Sequence, residues 1–211
     1  MTNFRMTKDE GILKPECSSF VIRHSSFRAA GAFTLIELLI VMAIIIVLAG
    51  LILATANYVQ KKGYRSRAEA EIAAISAALE NYKADNGVYP STAETNALMP
   101  NKMGDPNAAD YIKASLALYK LISGDADNSN DRSAELKSYF TFKPNQLSPT
   151  LQTQAVTYIR DPFGNSYGYS TVKASAPTGS DGYNPTFDLW STGGTVDNTT
   201  SPNQSKWIKN W

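Results

Sequence analysis

The sequence predicts an α+β protein: one long N-terminal helix, membrane-spanning in its first half, with a small antiparallel β-sheet of three to four strands packed on its C-terminal half. Three observations lead there. Residues 33–56 are apolar apart from a single charge, Glu37. Residues 57–86 contain no proline and carry an apolar stripe at helical spacing. Residues 155–211 break into short β-prone runs separated by Asp-Pro, Gly and Asn-Pro punctuation.

The elements follow in chain order. Residues 1–32 are polar and lack apolar periodicity, with Arg23 and Arg28 close to the start of the apolar run. As a helix, residues 33–56 are about 36 Å long at 1.5 Å per residue, enough to cross a bilayer core of about 30 Å with some tilt. Glu37 is the exception in this run. A carboxylate in a membrane helix costs roughly 2.5–3.5 kcal/mol, so it implies a partner and a role. The helix is expected to continue through residues 57–86, where Ala68, Ile72, Ile75, Leu79 and Tyr82 form one stripe and Arg65, Glu69, Glu80 and Lys83 fall elsewhere. Asn86 and Gly87 form a stop signal, and Pro90 prevents a restart. A stripe this short suits a small sheet better than a coiled coil, which would have only about two heptads.

Residues 91–154 form a connecting αβ region. Residues 109–123 read as a helix with Ile112, Leu116, Tyr119 and Leu121 apolar; residues 124–133 as a polar loop; residues 136–142 as a strand or a short helix. Asp125, Asp127, Ser129 and Asp131 alternate as calcium-loop ligands do, but Asn130 stands at the glycine place and Leu136 at the glutamate place. A solvated acidic turn is the better reading. Beyond it, residues 156–160, 166–172 and 186–190 are the expected strands of a β-meander laid on the helix stripe.

The chain has 211 residues, enough for one modest domain with an appendage, and a net charge of +1, which gives no reason to expect a nucleic-acid partner. Cys17 and His24 are the only residues of their kinds. Both precede residue 33.

Gly31 and Ala32 followed by Phe33-Thr34-Leu35-Ile36-Glu37-Leu38 resemble the processing site of type IV pilins and type II secretion pseudopilins. The resemblance implies that residues 1–32 are a leader peptide, cut between Ala32 and Phe33 by a prepilin peptidase that methylates the new Phe33 amine. The family usually has Gly before the cut. Here Ala32 takes that place, and a cut after Gly31 is the alternative. Asp161-Pro162-Phe163-Gly164-Asn165, the run Phe187 to Gly193 and the terminal Asn210-Trp211 are similar to the final turn, strand and chain end of major type II secretion pseudopilins.

The implied function follows from that resemblance. The precursor sits in the bacterial inner membrane by a single pass, with its C-terminal domain in the periplasm. Its implied partners are membrane lipid before assembly, then further copies in a helical homopolymer, with minor pseudopilins and the inner-membrane secretion platform. The filament is a periplasmic pseudopilus that drives protein secretion. Glu37 pairs either with its own Phe33 amine or with that of an adjacent subunit. Buried, the pair would set register between subunits, since either charge alone is costly there. No catalytic residues are expected, because cleavage removes the only His and Cys. Two alternatives remain: a subunit of a type IV surface pilus, and a single-pass membrane-anchored periplasmic binding protein, for which Glu37 would have no use. Orientation is contested within the sequence. Lys61, Lys62, Arg65 and Arg67 follow the apolar run, so a count of positive charge alone would place that end in the cytoplasm.

The resemblance also implies calcium in the loop before the chain end. Here that loop, residues 194–204, has one carboxylate, Asp197. Calcium takes about six to eight oxygens with substantial negative charge, so weak or absent binding is expected at Asp197.

Overall fold

A computed structural model of the chain describes residues 33–129, 136–151 and 153–211. The expected leader, including Ala32 and Gly31, and residues 130–135, including Asp131, lie outside the described residues. The chain divides into two compact units, Met1–Gly50 and Leu51–Trp211. Helix α1, Leu35–Asn86, contributes to both.

In the described part of the first unit, residues 33–50, every side chain is exposed. This is the apolar run, and α1 is long and apolar enough there to cross a membrane.

In the second unit the run continues, and the Thr55 hydroxyl is satisfied locally: Oγ1 donates to the Leu51 and Ile52 carbonyls at 3.3 and 3.1 Å. The expected stripe is buried at Ala68, Ile72, Ile75 and Leu79. It shares one core with Leu118 and Ile122, and with Tyr167, Tyr169, Leu189 and Ile208. The stripe is thus consumed inside the chain, which removes the coiled-coil alternative. Gly87, at φ +76°, stops α1, its N–H donating to the Lys83 carbonyl at 2.7 Å. Helix α2, Ala93–Ala97, is closed by a reciprocal cap between Thr92 and Thr95.

Helix α3, Ala109–Ser123, forms where expected, but its buried face differs. Tyr111, Ala114, Leu118, Tyr119 and Ile122 face inward, whereas Ile112, Leu116 and Leu121 are only partly covered. The helix is apolar on several sides, so spacing alone did not fix its face. Ser115 is buried too. Its hydroxyl accepts the Ile159 N–H at 3.0 Å.

The strands are β1 Leu147–Ser148, β2 Tyr158–Ile159, β3 Gly168–Ser170, β4 Asp188–Ser191 and β5 Ile208–Lys209, with helix α4, Val172–Ser175, after β3. β3, β4 and β5 form an antiparallel meander, with Gly168 opposite Trp190 and Trp190 opposite Lys209. Two expectations are corrected. The run 156–160 does not join that sheet: β2 pairs with β1, because Thr157 and Arg160 donate their N–H groups to the Ser148 and Gln146 carbonyls, both at 2.7 Å. Residues 136–142 are neither strand nor helix. The Tyr139 and Phe140 N–H groups both go to the Ile122 carbonyl at 2.8 and 2.9 Å. Their rings fill gaps in the core, Tyr139 against Tyr82 at 5.0 Å and Phe142 against Tyr119 at 5.5 Å. Aromatic content in that segment serves packing rather than a ladder.

Candidate functional site

Phe33 is the first described residue and is 86% exposed. Glu37 stands at the head of α1, and its carboxylate is engaged within its own chain. Oε2 accepts the Thr34 N–H at 2.9 Å and the Thr34 hydroxyl at 2.7 Å, while Thr34 Oγ1 lies 3.2 Å from the Glu37 N–H. This is a capping box, in which the cap and the third helical residue satisfy each other's free donors. Sequence reasoning missed it, although Thr-x-x-Glu before an apolar run is its signature. Both carboxylate contacts fall on Oε2, so the cap and an amine on Oε1 are compatible. The negative charge near the helix N-terminus also suits the helix dipole.

Asp197 is placed in a loop that closes on itself. Its Oδ1 accepts the Thr199 N–H at 3.0 Å and the Thr199 hydroxyl at 2.6 Å, and Oδ2 accepts the Asn203 N–H at 2.8 Å. The Thr199 hydroxyl, with the Asn203 and Thr199 N–H groups, holds this carboxyl below the usual range. The Asp197 N–H donates to the Gly104 carbonyl at 3.1 Å. Gly104 is needed there, since a Cβ would meet Pro202 Cβ at 2.4 Å. The residues present do not fit a calcium site. The single carboxylate already has both oxygens turned to N–H and O–H donors, which a cation would have to displace. Among the described residues, no group of three or more His, Cys, Asp or Glu side chains is placed to hold a metal.

In the other acidic run, Asp125 is buried and accepts the Tyr119 hydroxyl at 2.7 Å, whereas Asp127 is exposed and caps the Ser129 N–H at 3.0 Å. The structure therefore splits these two acids between core and surface.

Two further carboxylates take structural roles that the sequence did not assign to them. Glu71 is 8% exposed; it takes Arg67 Nε on Oε1 at 2.9 Å and the Tyr167 hydroxyl on Oε2 at 2.8 Å, so it ties α1 to the segment before β3. Asp161 heads the Asp-Pro-Phe-Gly-Asn turn; it accepts the Phe163 and Asn165 N–H groups on Oδ1 at 3.0 and 2.8 Å, and the Ser191 hydroxyl on Oδ2 at 2.5 Å. The turn signal was legible, but its tie to β4 needed the fold.

Comparison with known proteins gives the context of these residues. Residues 57–116 match the family model described as Type II secretion system (T2SS), protein G. The protein named Type II secretion system core protein G of Pectobacterium carotovorum subsp. carotovorum is 33% identical over 96 residues, covering 45% of this chain and 61% of that protein. Its namesake in Pseudomonas aeruginosa is 36% identical over 87 residues, covering 41% and 61%. The one in Escherichia coli (strain K12) is 37% identical over 82 residues, covering 38% and 57%. The chain thus spans about three fifths of the length of the curated relatives it matches. No solved structure matches it. Over residues 57–116, from the second half of α1 into the middle of α3, the chain is similar to the protein G family of type II secretion systems.

Proposed function

We propose that the chain is a pseudopilin subunit of a type II secretion system. It is made as an inner-membrane precursor, cut before Phe33 and methylated there, and then polymerised into a periplasmic pseudopilus. Its role is structural rather than enzymatic. One observation carries this reading: α1 starts with a capped, wholly exposed apolar surface bearing a single carboxylate, Glu37. A plain membrane anchor has no use for that charge, whereas a bundle of such helices gives it an amine to meet. The similarity to protein G sequences over residues 57–116 favours a secretion pseudopilus over a surface pilus. In this reading the partners are further copies of the chain, minor pseudopilins, the inner-membrane assembly platform and the prepilin peptidase. The domain after residue 56 faces the periplasm, and its C-terminal loop works without calcium.

The test is the mature N-terminus. Mass spectrometry of protein extracted from membranes or sheared from fibres is expected to show a chain starting at Phe33 with an N-methyl group. An intact leader on the membrane protein overturns the reading.

A further inference from the structure

We propose that the second unit carries a binding cleft for the headgroup of an anionic phospholipid. The cleft has a volume of about 390 Å³ and is lined by Lys61, Arg65, Lys206, Phe163 and the turn of residues 193–195. Three cations line it, and the acid that pairs with one of them is Glu69, 3.2 Å from Arg65 Nε. Arg65 also donates to the Lys206 carbonyl at 3.2 Å, which joins the α1 wall to the C-terminal wall. Gly193 closes against the same carbonyl: a Cβ there would meet the Lys206 oxygen at 2.2 Å. Lys61 and Lys206 make no ion pair among the described residues. The fold therefore converges positive charge from two separate segments on one concave site and supplies a counter-charge for Arg65 alone. An anion relieves that excess.

The surroundings select a lipid among anions. Leu51, Ile52 and Leu53 are exposed apolar side chains on α1. Lys61 follows Leu53 by roughly 12 Å along the helix at 1.5 Å per residue. Tyr58 and Tyr64 are exposed in the same stretch, and the Tyr64 ring meets Phe163 edge-on at 5.7 Å. Apolar side chains, then Tyr58, then cations with Tyr64 among them follow the order of a bilayer's core, interface and headgroup layer. The inference rests on the reading that residues 33–56 span the membrane. It also gives a use to Lys61 and Arg65, two of the cations whose position after the span opposes the simple charge rule for orientation.

The test uses full-length protein in detergent, mixed with phosphatidylglycerol and phosphatidylcholine, with retained lipids counted by native mass spectrometry. The comparison is the double variant Lys61→Gln with Lys206→Gln. Both side chains are exposed, and an unchanged unfolding curve verifies the fold. Phosphatidylglycerol retention is expected to fall about thirtyfold, as two lost cations near an anionic surface imply, with phosphatidylcholine unchanged. If the pair unfolds, Lys61→Gln alone gives the reading at about fivefold. Equal retention of phosphatidylglycerol overturns the proposal. Displacement of the lipid by millimolar inorganic phosphate also overturns it, and assigns the cleft to a free anion. Unchanged lipid retention with weaker cross-linking between copies in neutral vesicles assigns it instead to an acidic face of a second copy. Carbonate extraction separates the two levels. A chain released by carbonate fails the membrane reading, whereas a chain that stays in the membrane with equal lipid retention fails this proposal alone.

Discussion

Asp161 shows how one side chain sets a pH response. It is 2% exposed, and burial pushes its carboxyl up to about 6, although the Ser191 hydroxyl and the N–H groups of its own turn favour the charged form. The folded state therefore holds the proton more tightly than the unfolded chain does, whose ordinary value is 3.8. Stability from this group is greatest below the unfolded value and declines as pH rises through about 6, by at most about 3 kcal/mol. Asp188 acts in the same sense, its carboxyl raised by burial against the Asn184 and Tyr183 N–H groups. Asp181 and Asp197 act oppositely: their carboxyls are lowered, by Lys102 and by Thr199 first, and their contribution is lost as pH falls into the acid range. Thermal melts are expected to show stability falling between pH 4.5 and pH 6.5, about the window these carboxyls define. In Asp161→Asn the slope is expected to flatten, because an amide does not titrate, while its Oδ1 still accepts the turn N–H groups and its NH2 can donate to Ser191 Oγ. A melting temperature that rises across that window shows that the hydrogen bonds outweigh burial at Asp161.

At the scale of elements, the loop before β5 makes its own closure. In the loop held by Asp197, three donated hydrogen bonds and a bridge to Gly104 close the loop from within the chain. Chelator is expected to leave the melting temperature of the purified protein unchanged, and added calcium to leave it unchanged as well. Asp197→Ala is expected to lower it by several degrees, by freeing the loop. A large drop on chelation, reversed by calcium, would show that a cation displaces those donors. The sequence pattern that located this loop was enough for its single carboxylate, but not for its donors, since Thr199, Asn203 and Gly104 are polar or small residues with no pattern of their own. The same limit appears elsewhere. The α1 stripe, its stop at Gly87 and the bounds of α3 were legible because helical spacing and caps are local. β1, the pairing of β2 and the irregular path of residues 136–142 were not, because two-residue strands carry almost no alternation. Their partners are fixed by Ser115 and the Ile122 carbonyl, which lie far away in sequence.

At the scale of the whole molecule, the two units divide the work. Among the described residues, the core of the second unit has no member before Ala68, so its packing makes no contact with Glu37. Changes at Glu37 are therefore expected to alter assembly while the second unit keeps its thermal unfolding. The capping box sharpens the choice of variants. Glutamine serves in the third position of such a cap as glutamate does, so Glu37→Gln keeps the Thr34 contacts and removes only the charge. Glu37→Leu removes both and lowers the cost of membrane insertion. If the carboxylate meets the Phe33 amine of an adjacent subunit, both variants accumulate as membrane monomers and yield few fibres on shearing. If its role is only to cap α1, Glu37→Gln assembles like the parent protein and Glu37→Leu alone is impaired. Full assembly of Glu37→Leu would remove the carboxylate from both roles and leave α1 as a plain anchor. Fibre yield and monomer level in membranes, measured side by side for the two variants, separate these outcomes.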